Sequence, residues 1–100
     1  MRLTSLEEIL FRIWGKLFKD NHLIKDTTIC DDTDHSRTQK VFHALDEICN
    51  EFDLGKPIWL DTNIREFQRL AKTRFRQDSF IEEIDFDYLE FHVIEEDPIW

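Results

Sequence analysis

Glycine and proline are scarce in this chain, two of each, so neither a flexible linker nor a low-complexity tract has the residues it would need. Two cysteines, Cys30 and Cys49, are too few for a disulfide scaffold. They form no C-x-x-C and no histidine stands at zinc-finger spacing, so both are expected to be buried, reduced thiols of a cytoplasmic protein. No apolar run approaches the ~18 residues of a membrane span. Glu7 and Glu8 interrupt the apolar pattern of the first residues, so no export signal is read. The isolated Gly15 and Gly55 cannot cradle a phosphate, which removes Rossmann and P-loop chemistry.

What is present is core material. Hydrophobic residues make up 41% of 100 residues, with nine Phe and three Trp, enough for one domain with one core. Acids outnumber bases, 22 to 13, and the formal charge of −9 opposes non-specific attachment to nucleic acid or to an anionic membrane. The charge is segregated: residues 65–76 hold five bases and one acid, whereas residues 77–100 hold nine acids and no base. Without repeats or linkers, these blocks are expected to be faces of one fold.

The spacing predicts a helix from about Ser36 to Leu54, with Val41, Phe42, Leu45, Ile48, Cys49 and Phe52 on one stripe. Ser36 and Gln39 fit a capping box, and Gly55 stands where a left-handed residue would close the helix. Pro57-Ile58-Trp59-Leu60 reads as a short buried strand or an extended connector. A second helix is predicted from Asp61, Thr62 or Asn63, with an Asn63/Glu66 capping box, an apolar stripe of Ile64, Phe67, Leu70 and Ala71, and Arg65, Arg69 and Lys72 facing out. Ser79-Phe80-Ile81-Glu82 fits one capped helical turn. The alternation from Ile84 to Val93 slips by one between Tyr88 and Leu89, which predicts a strand with a bulge there.

Residues 5–19 admit two readings. Leu6, Ile9, Leu10, Ile13, Trp14 and Leu17 fit a helix, yet Asp20-Asn21 between two apolar segments fits a two-residue hairpin turn. The hairpin is favoured because its second limb is rich in β-branched residues and Gly15 weakens a helix by ~1 kcal/mol relative to Ala. Its expected register sets Leu17 beside Ile24, Ile13 beside Thr28 and Phe11 beside Cys30. Residues 4–10 are left as a short helical lead-in.

The strings Ile13-Trp14-Gly15-Lys16-Leu17-Phe18-Lys19-Asp20-Asn21, Lys40-Val41-Phe42-His43-Ala44-Leu45-Asp46-Glu47-Ile48-Cys49 and Pro57-Ile58-Trp59-Leu60-Asp61 resemble small uncharacterised single-domain proteins of anaerobic Gram-positive bacteria. The resemblance covers most of the chain from about residue 11 and implies that residues 1–10 are an N-terminal extension. It implies no activity, because none is established for those proteins.

Several groupings raise chemistry and lose it on inspection. Asp32-x-Asp34-x-Ser36 opens like a calcium loop, but Arg37 stands where Gly is needed and His43 where the bidentate Glu belongs, so these acids read as a loop capping the next helix. His22, His35, His43 and His92 lack the i, i+4 pairing of helical metal ligands. His43 and Glu47 share a helix face, which a surface pair does without any function. Glu82, Glu83, Asp85, Asp87 and Glu90 read as the solvent side of an amphipathic strand.

The basic run is the most pointed feature. Arg65, Arg69 and Lys72 follow helical spacing, Arg74 and Arg76 follow strand spacing, and Phe75 between them could stack a base. These six residues are the candidate interaction site. Against nucleic acid stands the −9 field, and the competing reading pairs the run with the acidic C-terminal segment.

The expectation is therefore an α+β domain spanning residues 1–100, with a small antiparallel sheet made of the N-terminal hairpin and the C-terminal strand and two helices packed on one face. In function it reads as a small non-enzymatic interaction or regulatory protein of the cytoplasm, with no catalytic residues, cofactor or metal. Its partner is another protein or a second copy forming a homodimer, since sheet edges and leftover Phe surface remain to be covered. The alternative is a nucleic-acid-binding module using residues 65–76.

Overall fold

The computed structural model describes residues 11–95; the expected lead-in, residues 4–10, and the extension, residues 1–10, lie outside them. Strand β1 (Phe11–Lys19) and strand β2 (His22–Asp31) form the hairpin, so strand wins over helix for residues 11–19. Asp20 and Asn21 both take positive φ, 54° and 67°, as a primed two-residue turn requires. Helix α1 (Arg37–Phe52) and helix α2 (Asp61–Leu70) follow, then strand β3 (Lys72–Phe75), a 3₁₀ turn (Gln77–Ser79) and strand β4 (Tyr88–Glu95). The sheet runs β2-β1-β4-β3, antiparallel throughout. This is the α+β fold the pattern predicts, with β3 as a fourth strand.

The expected hairpin register holds only next to the turn. Lys19 faces His22 and Phe18 faces Leu23, but a bulge then skips Ile24, so Leu17 pairs with Lys25, Ile13 with Ile29 and Phe11 with Asp31. A slip of one residue exchanges the faces of β2. It turns Ile29 onto the core and leaves Cys30 exposed, so only Cys49 is the buried thiol expected of both. Both cysteines are free.

Alternate residues of the sheet, Phe11, Ile13, Leu17, Phe75, Leu89, Phe91 and Val93, meet Val41, Ala44, Leu45, Ile48, Cys49 and Phe52 of α1 and Phe67 of α2. Ser36 caps α1 through the predicted box with Gln39, but the left-handed residue that ends it is Asp53 (φ 58°), not Gly55. Phe42, expected on the buried stripe, is 48% exposed, because α1 turns that side toward α2 rather than the sheet. Lys40 lies buried at the first turns, its ammonium 5.7 Å from the Phe11 ring centre.

Helix α2 starts earlier than an Asn63 cap would place it. Asn63 sits in its first turn, and its Oδ1 accepts from the Leu60 N–H at 3.1 Å. Ala71 in the left-handed region (φ 56°) ends α2, which takes Lys72 out of the helix and into β3. Of the predicted stripe, Phe67 is buried while Ile64 and Leu70 are exposed.

Pro57 to Leu60 is a connector rather than a strand. The 3₁₀ turn falls two residues before the predicted one. The predicted bulge between Tyr88 and Leu89 is instead where β4 begins. The preceding Phe86 is buried against Phe80, ring centres 5.7 Å apart, and Gln77 ties this segment by donating to Glu82 O and accepting from the Ile84 N–H, both at 2.9 Å. A bulge does occur in the β1–β4 pairing, at Ile94 between the Arg12 and Ile13 pairs.

Candidate functional site

The basic run is divided by the end of α2. Arg65 and Arg69 are exposed on that helix, and Lys72, Arg74 and Arg76 belong to β3 and the residue after it. Phe75 points the other way. It is 0% exposed and packs against Trp59 (ring centres 5.0 Å apart), so it cannot stack a base; β3 alternates, and its core face claims the phenyl ring.

Arg74 does meet the acidic segment. Its Nε donates to Glu90 Oε1 at 3.0 Å, and Lys16 Nζ lies 2.9 Å from the other carboxylate oxygen. Glu90 is thus a buried carboxylate on the sheet face away from the helices, clamped by cations of β1 and β3. Burial alone would raise its pKa, but the hydrogen bonds and charges of Lys16 and Arg74 outweigh that and hold it below the ordinary value. Beside it on β4, His92 is held below the usual histidine range, first by burial and then by the charges of Lys72 and Lys16.

Around this knot the same face carries aromatic rings. Trp14 lies under the Lys16 ammonium, 3.8 Å from the ring centre, and its Nε1 donates to Asp26 at 2.9 Å. Phe18 stacks on Tyr88 with centres 5.1 Å apart, and the Arg74 and Arg76 guanidinium groups lie 4.6 and 5.0 Å from the Tyr88 ring. Sequence reasoning missed this face. Its signal was the alternation Arg12, Trp14, Lys16, Phe18 between the core residues of β1.

At the β3 edge of the sheet, a cleft of about 440 Å³ runs between α2 and β3, past Asn63, Glu66, Lys72, Arg74 and Arg76. Its floor is already satisfied. Buried Asn63 donates to Thr73 Oγ1 (2.9 Å) and Arg74 O (3.0 Å), and besides the Leu60 amide its Oδ1 accepts from Ser79 Oγ at 3.3 Å. These contacts use both amide hydrogens and both lone pairs of the side chain.

A second groove, about 340 Å³, lies between α1 and α2 and is mostly apolar, with Val41, Phe42, Trp59, Ile64 and Phe67 along it. Phe42 and Ile64 are 48% and 40% exposed there. Trp59 threads the connector into an aromatic cluster with Phe42, Phe67, Phe75 and Phe91, ring centres 5.0–6.3 Å away. Its indole N–H is shut off from solvent and has no acceptor among the described residues.

The remaining candidates serve the fold. Asp31 accepts from the Thr33 amide and hydroxyl at 2.9 and 2.6 Å; although burial raises its pKa, these bonds and the Lys40 and His35 charges bring it below the ordinary value. His43 meets His35 edge-on, and both line a shallow cleft with Cys30, Asp46 and Glu47. Among the described residues no three His, Cys, Asp or Glu side chains group so as to hold a metal ion. Asp85 and Asp87 are exposed as predicted, but Glu90 parts from them into the buried clamp. Cys49 has its thiol pushed up to about 11 by burial and the Asp46 charge, against the pull of Lys56, which leaves it protonated and unreactive at neutral pH.

Comparison of the chain with protein-family models, with curated proteins and with solved structures finds no match.

Proposed function

We propose that this is a non-enzymatic interaction protein that receives a protein partner, either another chain or a second copy of itself, in the groove between α1 and α2. The observation that carries this reading is the placement of half-exposed Phe42 and Ile64 beside Trp59, whose buried N–H has no acceptor among the described residues. An apolar groove with exposed aromatic and branched side chains, on a chain in which 35% of residues are charged, is the surface that excludes water best when a partner covers it.

The polar groups that resemble catalytic machinery support the non-enzymatic assignment. Asn63 is saturated, Glu90 is neutralised by two cations, and the Cys49 thiol is raised away from nucleophilic form. The free cysteines fit a cytoplasmic, reducing setting. No helix among the described residues is long and apolar enough to cross a membrane.

Sedimentation equilibrium of the wild type and of a Phe42→Asp/Ile64→Asp variant, each alone and mixed with extract fractions of the source cells, tests the reading. Both positions are about half exposed, and circular dichroism of the variant checks that it keeps its fold. A heavier species formed by the wild type and lost in the variant supports the groove; equal association by both proteins contradicts it.

A further inference from the structure

We propose that the face of the sheet opposite α1 and α2 binds single-stranded nucleic acid, stacking bases on Trp14 and Phe18 and holding phosphates with Lys16, Arg74 and Arg76. This goes beyond the groove reading, because it uses the opposite side of the sheet and shares no residue with the groove.

Charge picks the partner. Strand alternation sets Arg12, Lys16, Lys72 and Arg74 on this face, with Arg76 directly after β3. Glu66 and Asp78 stand with Lys72, Arg74 and Arg76 at the β3 edge and Glu95 pairs with Arg12, while the carboxylates within the face are Glu90 and Asp26. Both are engaged, Glu90 by Lys16 and Arg74 and Asp26 by the Trp14 N–H. On a chain of net charge −9, the exposed guanidinium groups of Arg74 and Arg76 therefore stand on this face beside carboxylates that are already engaged.

Aromatic placement narrows the polyanion to one with bases. Trp14 and Phe18 lie four residues apart on the same face of β1, roughly 13 Å along the strand, with Lys16 between them. Ring, cation, ring along one strand is the arrangement that tracks an unpaired nucleic-acid chain, because every base has a face to stack and every link carries a phosphate. In the free protein the cations occupy the rings: Lys16 lies over Trp14, and Arg74 and Arg76 lie against Tyr88. A base arriving on Trp14 displaces the Lys16 ammonium, which turns to the adjoining phosphate. Duplex is disfavoured, since its bases are stacked on one another and no helix among the described residues lies on this face to enter a groove.

Fluorescence anisotropy with labelled oligonucleotides of about twelve unpaired pyrimidines, as RNA and as DNA, tests the proposal on the full chain. Binding is expected at about 50 mM salt and should weaken about tenfold to twentyfold at about 200 mM, as three phosphate contacts require. Trp14→Ser and Arg76→Glu should each weaken it by about tenfold. Arg65→Glu/Arg69→Glu on α2 should leave it unchanged, and unlabelled polyphosphate of equal charge should compete poorly. Arg76 is exposed and outside the core, so its variant remains informative if Trp14→Ser fails to fold. No binding at the lower salt, binding indifferent to both Trp14 and Arg76, preference for duplex, or equal competition by polyphosphate would each overturn the proposal. The groove reading would survive any of these, because its own variant changes only Phe42 and Ile64.

Discussion

The backbone of β1 at Gly15 lies so close under Ile48 of α1 that a Cβ on Gly15 would stand 2.8 Å from Ile48 Cδ1 and Cγ2. Ile48 is fully buried and β-branched, so it has little freedom to move aside. Gly15→Ala should cost ~1–3 kcal/mol by overpacking, despite the entropy it removes from the unfolded chain. In an Ile48→Ala background the same substitution should cost much less, because the obstructing atoms are gone. Urea denaturation of the four proteins in this cycle measures the coupling; equal costs in both backgrounds would show that the contact is not the cause.

The Glu90 clamp sets the response to strong acid. In the unfolded chain this carboxyl titrates near 4.5, while in the fold it titrates lower, so on acidification the unfolded state takes the proton first. The stabilisation is complete above about pH 4.5 and is lost as pH falls through the folded value. Glu90→Gln should cost ~1–3 kcal/mol at neutral pH, less than a fully buried pair, because Arg74 is partly exposed and screened. The variant's stability should also fall less steeply below pH 4.5 than that of the wild type, as chemical denaturation at several pH values would report.

His92 acts at milder pH. Its folded value lies below 6.5, so the unfolded chain again binds the proton first and stability declines as pH drops below about 6.5. An NMR titration of the imidazole should place its midpoint below that of an unfolded peptide, and His92→Gln should flatten stability between neutrality and pH 5. A midpoint at or above 6.5 would contradict the environment described for it.

Asn63 joins α2 to β3 and to the 3₁₀ turn. Replacing it with Ala takes the Asn63 partner from the buried Ser79 hydroxyl, the Leu60 amide and the Arg74 carbonyl and leaves the Thr73 hydroxyl only its bond to Glu66, and should cost ~2–4 kcal/mol. Asn63→Asp keeps the acceptor but loses both donors and sets a carboxylate near Glu66, which accepts from the same Thr73 hydroxyl at 2.8 Å, so it should be no better tolerated. Thermal melts of both variants against Gln68→Ala on the exposed side of α2 provide the comparison.

Local chemistry was legible in the sequence and long-range geometry was not. Asp20-Asn21 announced its turn, and Ser36 with Gln39 announced a helix start, because each acts on backbone a few residues away. The bulge at Ile24 leaves no local mark: it is selected by the gain of seating Ile29 on the core, which depends on α1. Phe75 misled for a related reason. Its basic neighbours are the outward half of a strand alternation, and the same alternation sends Phe75 inward to Trp59 and Phe91. The Lys16–Glu90–Arg74 clamp and the Trp59 groove gather residues from distant segments, so no spacing rule could have assembled them.

Site-specific photo-crosslinking tests the central claim most directly. A photoreactive phenylalanine analogue placed at Gln68, on the groove between α1 and α2, should yield a discrete adduct with one protein species, a partner chain or a second copy, in the cells that make the protein. The same analogue at Glu47, on the far side of α1, should not. Adducts of equal yield at both positions, or at Glu47 alone, would contradict the assignment of the groove as the interaction surface.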